Sequence, residues 1–268
     1  MSHQIDPEKS IVSVKRFLVS RLAQSGLSGF VIGLSGGIDS AVSASLAVEA
    51  VGRDKVYGVL MPYKTSSRSS IDDATLHARQ LGIEFQTIDI SPMVDAYFGT
   101  IDESMRLRAG NKMARERMSI LFDIAQKMNR LVLGTGNRTE TCLGYTTWYG
   151  DSACSLNPIG EMYKTDVRKV ARELGVPLSI IAKHPTADLW VGQTDESEIG
   201  VTYERIDQLL SLIIDRNLTS LVELEQAGFK RAEIDRVVTL LNKNAFKRRM
   251  PDVAPLGRRD IPDQVVLH

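Results

Sequence analysis

One stretch of eight residues, Gly33-Leu34-Ser35-Gly36-Gly37-Ile38-Asp39-Ser40, joins a short apolar run to a helical pattern and guides the interpretation of the whole chain. Two adjacent glycines allow a tight turn and let backbone N–H groups approach an anion closely. The helix that follows directs the positive end of its dipole at the same point. Strand, diglycine turn and helix in this order predict a phosphate-binding loop.

The chemistry of this loop narrows the class of protein. No Lys follows the glycines and the spacing is not GxGxxG, which weakens both the kinase-like and the dinucleotide-binding Rossmann interpretations. Ser35 and Ser40 add hydroxyl donors, whereas Asp39 would repel a phosphate unless a divalent cation lay between them. A plain strand-to-helix turn with a Ser cap is the alternative, but the complete SGGxDS string at this position favours a phosphate site.

The chain around the loop alternates strand-like and helix-like segments. Short, β-branched runs that read as buried strands lie at residues 29–34, 56–60, 85–90 and 131–134. Helical spacing follows at Ser40–Val51, Ser70–Leu81 and Lys112–Asn129, with Ser70 as the expected N-cap and Gly82 as the left-handed stop. This alternation predicts an α/β fold, a Rossmann-like doubly wound parallel sheet with helices on both faces.

The rest of the chain reads as helical. Helices are predicted at 7–24, 165–174, 203–214, 220–227 and 230–243, and Pro185–Gly200 reads as a mobile loop. We therefore expect a single domain over residues 1–268, with a sheet core at about 25–165, a helical C-terminal part at about 165–250 and an extended tail at 251–268.

Composition excludes several classes of function. The chain has 268 residues, 43% of them hydrophobic, and 33 Lys plus Arg balance 33 Asp plus Glu. Zero formal charge argues against binding to nucleic acid or a membrane surface, although Lys247–Arg249 form a local basic run. The expected location is the cytoplasm, because no apolar run has the roughly 18 residues of a membrane span. Cys142 and Cys154 have no metal or redox spacing.

The SGGxDS loop resembles the pyrophosphate-binding loop of N-type ATP pyrophosphatases. Further motifs in the same order resemble the ammonia-dependent NAD synthetases: VLMP at 59–62, GN at 110–111, ARERM at 114–118, LGTGN at 133–137, GY at 144–145, GD at 150–151, NPIG at 157–160, YKT at 163–165 and PTADL at 185–189. The match extends over nearly the whole chain. The resemblance implies an ATP-dependent carbon–nitrogen ligase of NAD biosynthesis. The nicotinate carboxylate of deamido-NAD would be adenylated, and ammonia would then displace AMP.

The resemblance also implies roles for individual residues. The ATP-binding set is Gly33, Leu34, Ser35, Gly36, Gly37, Ile38, Asp39, Ser40, Met61, Thr135, Lys164 and Thr186. The acceptor-binding set is Arg115, Trp148, Ser155, Phe246 and Lys247. Asp39 and Glu140 would hold Mg²⁺, and Asp39 with Lys164 would be catalytic. The implied ligands are thus ATP as co-substrate, Mg²⁺, deamido-NAD and ammonia.

General chemistry supports the ATP side independently of the resemblance. Carboxylates on two loops at one sheet edge can hold a magnesium ion that keeps several waters and bridges phosphate oxygens. Lys164, at the start of a helix, could neutralise charge on departing pyrophosphate. Each residue also has a simpler interpretation: Glu140 as a helix-start carboxylate, Lys164 as a solvated surface charge and Thr186 as a helix cap.

Three residues depart from the family pattern on the acceptor side. Trp148 stands where a Lys is usual, Ser155 where an Asp is usual, and Phe246 where the His of a His-Lys pair is usual. Loss of charge and gain of stacking surface leave open a same-fold amide ligase that acts on a different carboxylic acid. A non-catalytic ATP sensor is a further alternative, disfavoured because Asp39, Glu140 and Lys164, which a protein that only binds ATP could lose, are all present.

Members of the family form two-fold dimers, so the resemblance implies a homodimer. The residues of 112–129 themselves show a partly apolar stripe, formed by Met113, Ile120, Leu121 and Ile124. Packing of that stripe against the chain's own sheet is the better interpretation. The homodimer is therefore an expectation from resemblance alone.

Overall fold

The computed structural model describes residues 5–184 and 195–254. Thr186, most of the expected loop at 185–200 and the tail beyond residue 254 lie outside the described residues. Within the described part, Asp195–Ile199 forms a short helix, so the C-terminal end of the expected loop is helical.

Strands and helices alternate along the first half of the chain, as predicted. The strands are β1 (Phe30–Gly33), β2 (Val56–Leu60), β3 (Glu84–Thr87) and β4 (Leu131–Leu133). The helices are α1 (Pro7–Ser25), α2 (Ile38–Val51), α3 (Arg68–Leu81), α4 (Ser91–Phe98), α5 (Arg106–Met128), α6 (Arg138–Leu143), α7 (Lys164–Glu173), α8 (Leu178–Ile181), α9 (Asp195–Ile199), α10 (Tyr203–Leu210), α11 (Leu221–Gln226) and α12 (Arg231–Lys243). A π-helical segment, Ser211–Asp215, continues α10.

The four strands form a parallel sheet in the order β3-β2-β1-β4. Phe30 pairs with Val56 on one side and with Leu131 on the other. The strand order reverses between β1 and β4, because the chain moves outward from β1 to β3 and then returns to its other side. In doubly wound sheets, ligands bind in the crevice at the carboxyl ends of the strands where the order reverses. The fold therefore places the loop after β1 at the edge of such a crevice.

Helices cover both faces of the sheet, which confirms the predicted architecture. Phe30 and Ile32 point into a core shared with α1, α2 and α7, whereas Val31 and Val132 point to the opposite side, against α4 and α5. Phe30, Val31 and Ile32 are fully buried. Burying side chains of this size contributes roughly 1.5–3 kcal/mol each, so consecutive strand residues stabilise opposite layers.

A separate apolar cluster holds the C-terminal helices together. Residues of α6, α10, α11 and α12 pack around the fully buried ring of Tyr203. Because α6 and α10 both contact α7, this cluster joins the C-terminal helices to the helices that cover the sheet. In the described residues, no helix is both long enough and apolar enough to span a membrane.

Some predicted boundaries are wrong. Ser67 caps α3 by accepting a hydrogen bond from Ser70 N at 3.2 Å, so Ser70 is a buried residue inside the first turn and not the cap. The SSRSS run at 66–70 offers several possible caps, and the sequence alone does not distinguish them. Helix α5 begins at Arg106, six residues before the predicted start.

Candidate active site

A cavity of about 560 Å³ opens at the carboxyl ends of β1, β2 and β4. Its walls include all of residues 33–40, together with Met61, Thr135, Glu140, Lys164 and Lys247. Residues predicted from five separate motifs are thus brought to one cavity, at the edge where the strand order reverses.

The glycine loop is shaped by a close backbone approach. Gly36 has φ +76°, and a Cβ at this position would lie 2.1 Å from the carbonyl oxygen of Ser70. The Ser35 and Ser40 hydroxyls lie 3.0 Å apart, and Gly37 N donates to Ser35 Oγ at 3.2 Å. Helix α2 starts after Gly37 without a side-chain cap. Its first-turn amides and the loop hydroxyls therefore form an anion-binding edge.

Beside this loop, one ammonium group lies between two carboxylates. Lys164 Nζ donates to Asp39 Oδ2 at 2.5 Å and to Glu140 Oε1 at 3.2 Å. The Lys164 side chain is only 3% exposed. The interpretation of Lys164 as a solvated surface charge is therefore wrong, and the two carboxylates assigned to Mg²⁺ are close together in space.

Helix α6 positions Glu140 and also fixes Asp39. Asn137 caps α6 by accepting from Glu140 N at 2.9 Å, and Glu140 Oε2 accepts from Asn137 N at 3.4 Å. The same Asn137 donates its Nδ2 to Asp39 Oδ1 at 2.9 Å. The simpler interpretation of Glu140 as a carboxylate at the start of a helix is therefore correct, and Glu140 also lines the cavity.

The backbone at Lys164 is fixed by buried hydrogen bonds to Thr139 and, through it, to Asp207. Its backbone N donates to Thr139 Oγ1 at 2.9 Å, and the Thr139 hydroxyl donates to Asp207 Oδ1 at 2.6 Å. Thr165 N donates to the other oxygen of Asp207 at 2.8 Å. Asp207 from α10 therefore acts as the N-terminal cap of α7 and fixes the residue from which the Lys164 side chain extends.

The two sides of this ion cluster respond oppositely to burial. Burial raises the pKa of Glu140 to about 7, against the opposing charge of Lys164. Burial also lowers the pKa of Lys164, but the charges of Asp39 and Glu140 outweigh it, so the pKa of Lys164 is raised overall. Above about pH 7, where both carboxyl groups are ionised, one ammonium cannot fully compensate them and the cluster carries excess negative charge.

A second polar group lies next to this ion cluster, because Lys164 Nζ is 5.2 Å from the centroid of the Tyr203 ring. The Tyr203 hydroxyl donates to Asp195 Oδ2 at 3.0 Å, and the Tyr145 hydroxyl lies 2.7 Å from Glu198 Oε2. Burial raises the pKa of Asp195. Asp195 and Glu198 both line the cavity.

The acceptor candidates form an aromatic cluster beside the cavity. The Trp148 ring stacks on Tyr149, with centroids 4.5 Å apart, and meets the edge of Phe246 at 5.2 Å. Arg115 donates two guanidinium hydrogen bonds to the Trp148 carbonyl, at 3.3 and 3.2 Å. Lys247 donates to the backbone carbonyls of the segment that precedes this cluster.

The matches to known proteins extend over nearly the same residues as these motifs. The family model described as NAD synthase matches residues 10–251. The chain belongs to the NAD synthase family. It is 48% identical over 242 residues to the NH(3)-dependent NAD(+) synthetase of Fusobacterium nucleatum, covering 90% of this chain and 93% of that one. It is 46% identical over 245 residues to that of Trichlorobacter lovleyi, covering 91% and 89%.

Solved structures of NAD synthase relatives share the fold. The NMN synthetase from Francisella tularensis aligns with a TM-score of 0.80 at 34% identity, covering 94% of this chain and 100% of that one. An NH3-dependent NAD synthetase from Campylobacter jejuni in complex with the nitrate ion aligns with a TM-score of 0.79 at 31% identity, with the same coverage. The resemblance inferred from the motifs is therefore confirmed at the level of family and fold.

Several residues predicted to bind ATP or the acceptor do not line the cavity in the described part of the chain. Ser155 is exposed at the sheet edge, where its Oγ accepts from Val132 N at 3.2 Å. Arg115, Trp148 and Phe246 are not among the described residues that line the cavity. Thr186 lies outside the described residues.

Sequence reasoning missed four polar residues in or around the site: Thr139, Asp195, Tyr203 and Asp207. Asn137 was part of the LGTGN motif at 133–137, but no role was assigned to it. Asn137 with Glu140 had a usable signal, because Asn followed three residues later by Glu is a capping-box spacing. The others carry no local pattern that separates them from solvated polar residues.

Proposed function

We propose that this chain catalyses ATP-dependent amidation of deamido-NAD with ammonia, giving NAD, AMP and pyrophosphate. In the first step, a nicotinate carboxylate oxygen attacks the α-phosphorus and the bond to the β-phosphate oxygen breaks. In the second, ammonia attacks the acyl carbon, the bond to AMP breaks and a proton is released. The supporting observation is the convergence of the loop at 33–40 with Asp39, Glu140 and Lys164 in one cavity.

In the first step, the chain's main contribution is positioning of two anionic substrates. The loop hydroxyls and the first-turn amides of α2 would hold the β- and γ-phosphates, because the helix N-terminus favours negative charge. Lys164 would stabilise charge that develops on pyrophosphate as it leaves. In the second step, the enclosed cavity would keep water from the acyl adenylate until ammonia attacks.

The charge balance of the cavity walls favours binding of an additional cation. Among the described residues that line it, five are carboxylates (Asp39, Glu140, Asp151, Asp195, Glu198) and four are Lys or Arg (Arg117, Lys164, Lys183, Lys247). With all five carboxylates ionised, these walls carry one excess negative charge, although the proposed substrates are polyanions. A bound divalent cation would supply the missing positive charge.

Asp39 and Glu140 fit magnesium better than a metal that needs a complete protein cage. In the described part of the chain, no group of three or more His, Cys, Asp or Glu residues is arranged to hold a metal ion. Magnesium commonly uses one or two carboxylates and completes its shell with waters and substrate phosphates. When bound, it would withdraw charge from the phosphate oxygens.

The acceptor side is proposed from the aromatic cluster and its basic neighbours. Trp148 and Phe246 offer faces and edges for stacking, and Arg115 and Lys247 lie beside them to balance a pyrophosphate. Deamido-NAD contains aromatic bases and a pyrophosphate, so this chemistry fits it. The relatives at 48% and 46% identity are named for ammonia-dependent NAD synthesis, which supports both the acceptor and the nitrogen donor.

The test is pyrophosphate and AMP release with ATP, Mg²⁺ and ammonium, with and without deamido-NAD. Nicotinate mononucleotide, the same acid without its adenylate half, serves as the competing acceptor, because one solved relative is named NMN synthetase. We expect release that depends on deamido-NAD and loses at least about 100-fold in rate in Asp39→Asn. Asp123→Asn, at an exposed site on α5, is the matched control.

Other outcomes of this assay identify the alternatives. Release with the mononucleotide but not with deamido-NAD would assign a shorter acceptor, and release only with another acid would assign a different ligase. Tight ATP binding without any release would identify a nucleotide sensor. Retention of a near-normal rate in Asp39→Asn would contradict the metal role.

We also propose that the chain forms a homodimer. On α4 and α5, Tyr97, Leu107 and Phe122 are 66%, 69% and 39% exposed, while Met113 and Ile124 are buried in the chain's own core. The exposed apolar side chains are thus different from the apolar stripe of Met113, Ile120, Leu121 and Ile124 that the sequence shows. Sedimentation of the chain and of Phe122→Asp tests this, and an unchanged monomeric mass would contradict it.

The cytoplasmic location stays a prediction.

A further inference from the structure

The position of the Lys164 ammonium has a consequence for cation binding. Lys164 Nζ contacts Asp39 Oδ2 and Glu140 Oε1, the two carboxylates proposed for Mg²⁺. The other oxygen of Asp39 accepts from Asn137 Nδ2 at 2.9 Å. Both oxygens of Asp39 therefore already accept a hydrogen bond, so a metal ion would have to share this carboxylate with Lys164 and Asn137 or displace one of them.

The ammonium and a divalent cation have overlapping requirements. Both need the negative charge of the same carboxylates, and two positive charges beside one carboxylate repel strongly in a site with little solvent. Lys164 is 3% exposed, whereas each of the two carboxylates is 18% exposed. Lys164 and both carboxylates line the cavity, so a cation that enters it meets these carboxylates beside the ammonium group.

Only the side chain of Lys164 needs to move. Its backbone N is fixed by Thr139, which is in turn held by Asp207. Beyond the Cα, a lysine has a flexible four-carbon stem that can redirect its ammonium group. The loop at 33–40 lines the same cavity, so phosphates bound there would offer the ammonium group a new anionic partner.

We propose that Lys164 is a built-in counter-cation of the metal site: it neutralises Asp39 and Glu140 until a divalent cation takes its place, and it then turns to the triphosphate. The proposal rests on the proposed function, since it uses the same carboxylates and ATP. It predicts that the free protein binds divalent cations weakly. It also predicts that ATP and the cation bind with positive coupling, because the phosphates stabilise the displaced lysine.

The test measures direct binding of Mn²⁺, as a probe for Mg²⁺, by electron paramagnetic resonance of the free ion in the absence of nucleotide. Lys164→Met removes the competing ammonium, and Lys164→Gln keeps a side-chain amide that can donate to Asp39. We expect both variants to bind Mn²⁺ at least about 10-fold more tightly than the unchanged chain. Lys183→Met is the matched control, because Lys183 lines the same cavity but donates to Ser70 and Asp73.

Thermal denaturation of each variant shows that it is folded, and added Mn²⁺ should raise the melting temperature of Lys164→Met and Lys164→Gln more than that of the unchanged chain. A non-hydrolysable ATP analogue should tighten Mn²⁺ binding to the unchanged chain, and should do so less in the two variants. Equal Mn²⁺ affinity of the variants and the unchanged chain, with ATP-dependent uptake intact, would overturn the inference alone. Absence of Mn²⁺ uptake in every variant, with or without the analogue, would instead reject the metal site itself.

Discussion

Gly36→Ala tests whether the phosphate loop depends on the close approach to α3. An alanine Cβ would lie 2.1 Å from the Ser70 carbonyl oxygen, well inside any normal contact, so either the loop or the first turn of α3 must move. The positive φ of +76° adds a conformational cost of about 1–2 kcal/mol. Relief of the clash costs roughly a further 1–3 kcal/mol. Together these lower the unfolding free energy by about 2–5 kcal/mol.

A matched glycine separates the two contributions. Gly26, which ends α1, has φ +67° but nothing within 4 Å of an added Cβ. Gly26→Ala should therefore carry only the conformational cost, about 1–2 kcal/mol. At about 2–4 °C per kcal/mol for a chain of this size, Gly36→Ala should melt about 4–20 °C below the unchanged chain and several degrees below Gly26→Ala.

The binding assay completes the comparison. ATP titration by calorimetry should show at least about a 10-fold loss of affinity in Gly36→Ala, because the displaced loop no longer presents its hydroxyls and amides to the phosphates. Gly26→Ala should bind ATP normally. If the two alanine variants melt at the same temperature and bind ATP equally well, the close approach to Ser70 does not shape the site and the reasoning fails.

Three other perturbations probe separate parts of the molecule. Asp207→Ala leaves a buried hydroxyl and an amide without their acceptor, so thermal denaturation should show a loss of about 3 kcal/mol. His77 has a pKa lowered below 6.5 by burial. Its folded form binds fewer protons than its unfolded form, so stability is full above pH 6.5 and falls with acidification, by up to about 1.4 kcal/mol per pH unit. His77→Gln should flatten this slope in denaturant titrations, and an equally steep slope would contradict the assignment. Trp148→Ala should raise the KM for deamido-NAD about 2–10-fold and leave the KM for ATP unchanged, whereas an equal rise in both would contradict an acceptor role.

The sheet was predictable where its strands are buried and apolar, whereas the run predicted at 85–90 is a strand only at Glu84–Thr87, which is partly exposed. Buried parallel strands are continuous apolar runs, and the runs at 56–60 and 131–134 coincide with β2 and β4 within one residue. Helix starts depend on weaker signals. No side chain caps α5 at Met105, and its first turn carries Arg106 and Arg108 where acidic residues are usual. The cap lies further upstream, where Asp102 accepts from Met105 N at 3.2 Å and a 3-10 turn, Glu103–Met105, leads directly into α5, so the predicted start six residues inside α5 was wrong.

The candidate site was predictable where its residues follow strands. Asp39 follows β1 and Glu140 follows β4, and neighbouring parallel strands bring their carboxyl ends together. Asp207 and Asp195 come from helices whose arrangement no strand register determines. In the sequence YERIDQLL, Asp207 looks like a polar residue on the solvent side of an amphipathic helix. Only tertiary packing shows that it is 4% exposed and caps α7.

Lys164 shows why identifying a site residue does not establish what it contacts. Sequence reasoning directs its charge at a departing pyrophosphate, whereas the structure directs it at Asp39 and Glu140. Both partners of Lys164 have the same cause, because a buried ammonium group needs an anion beside it. In the structure its nearest anions are the carboxylates of its own site. A site that binds a metal and a triphosphate must hold charges of both signs close together, and these charges neutralise each other before they meet substrate. The sequence could therefore identify the charged residues, but not which of them are paired within the protein itself.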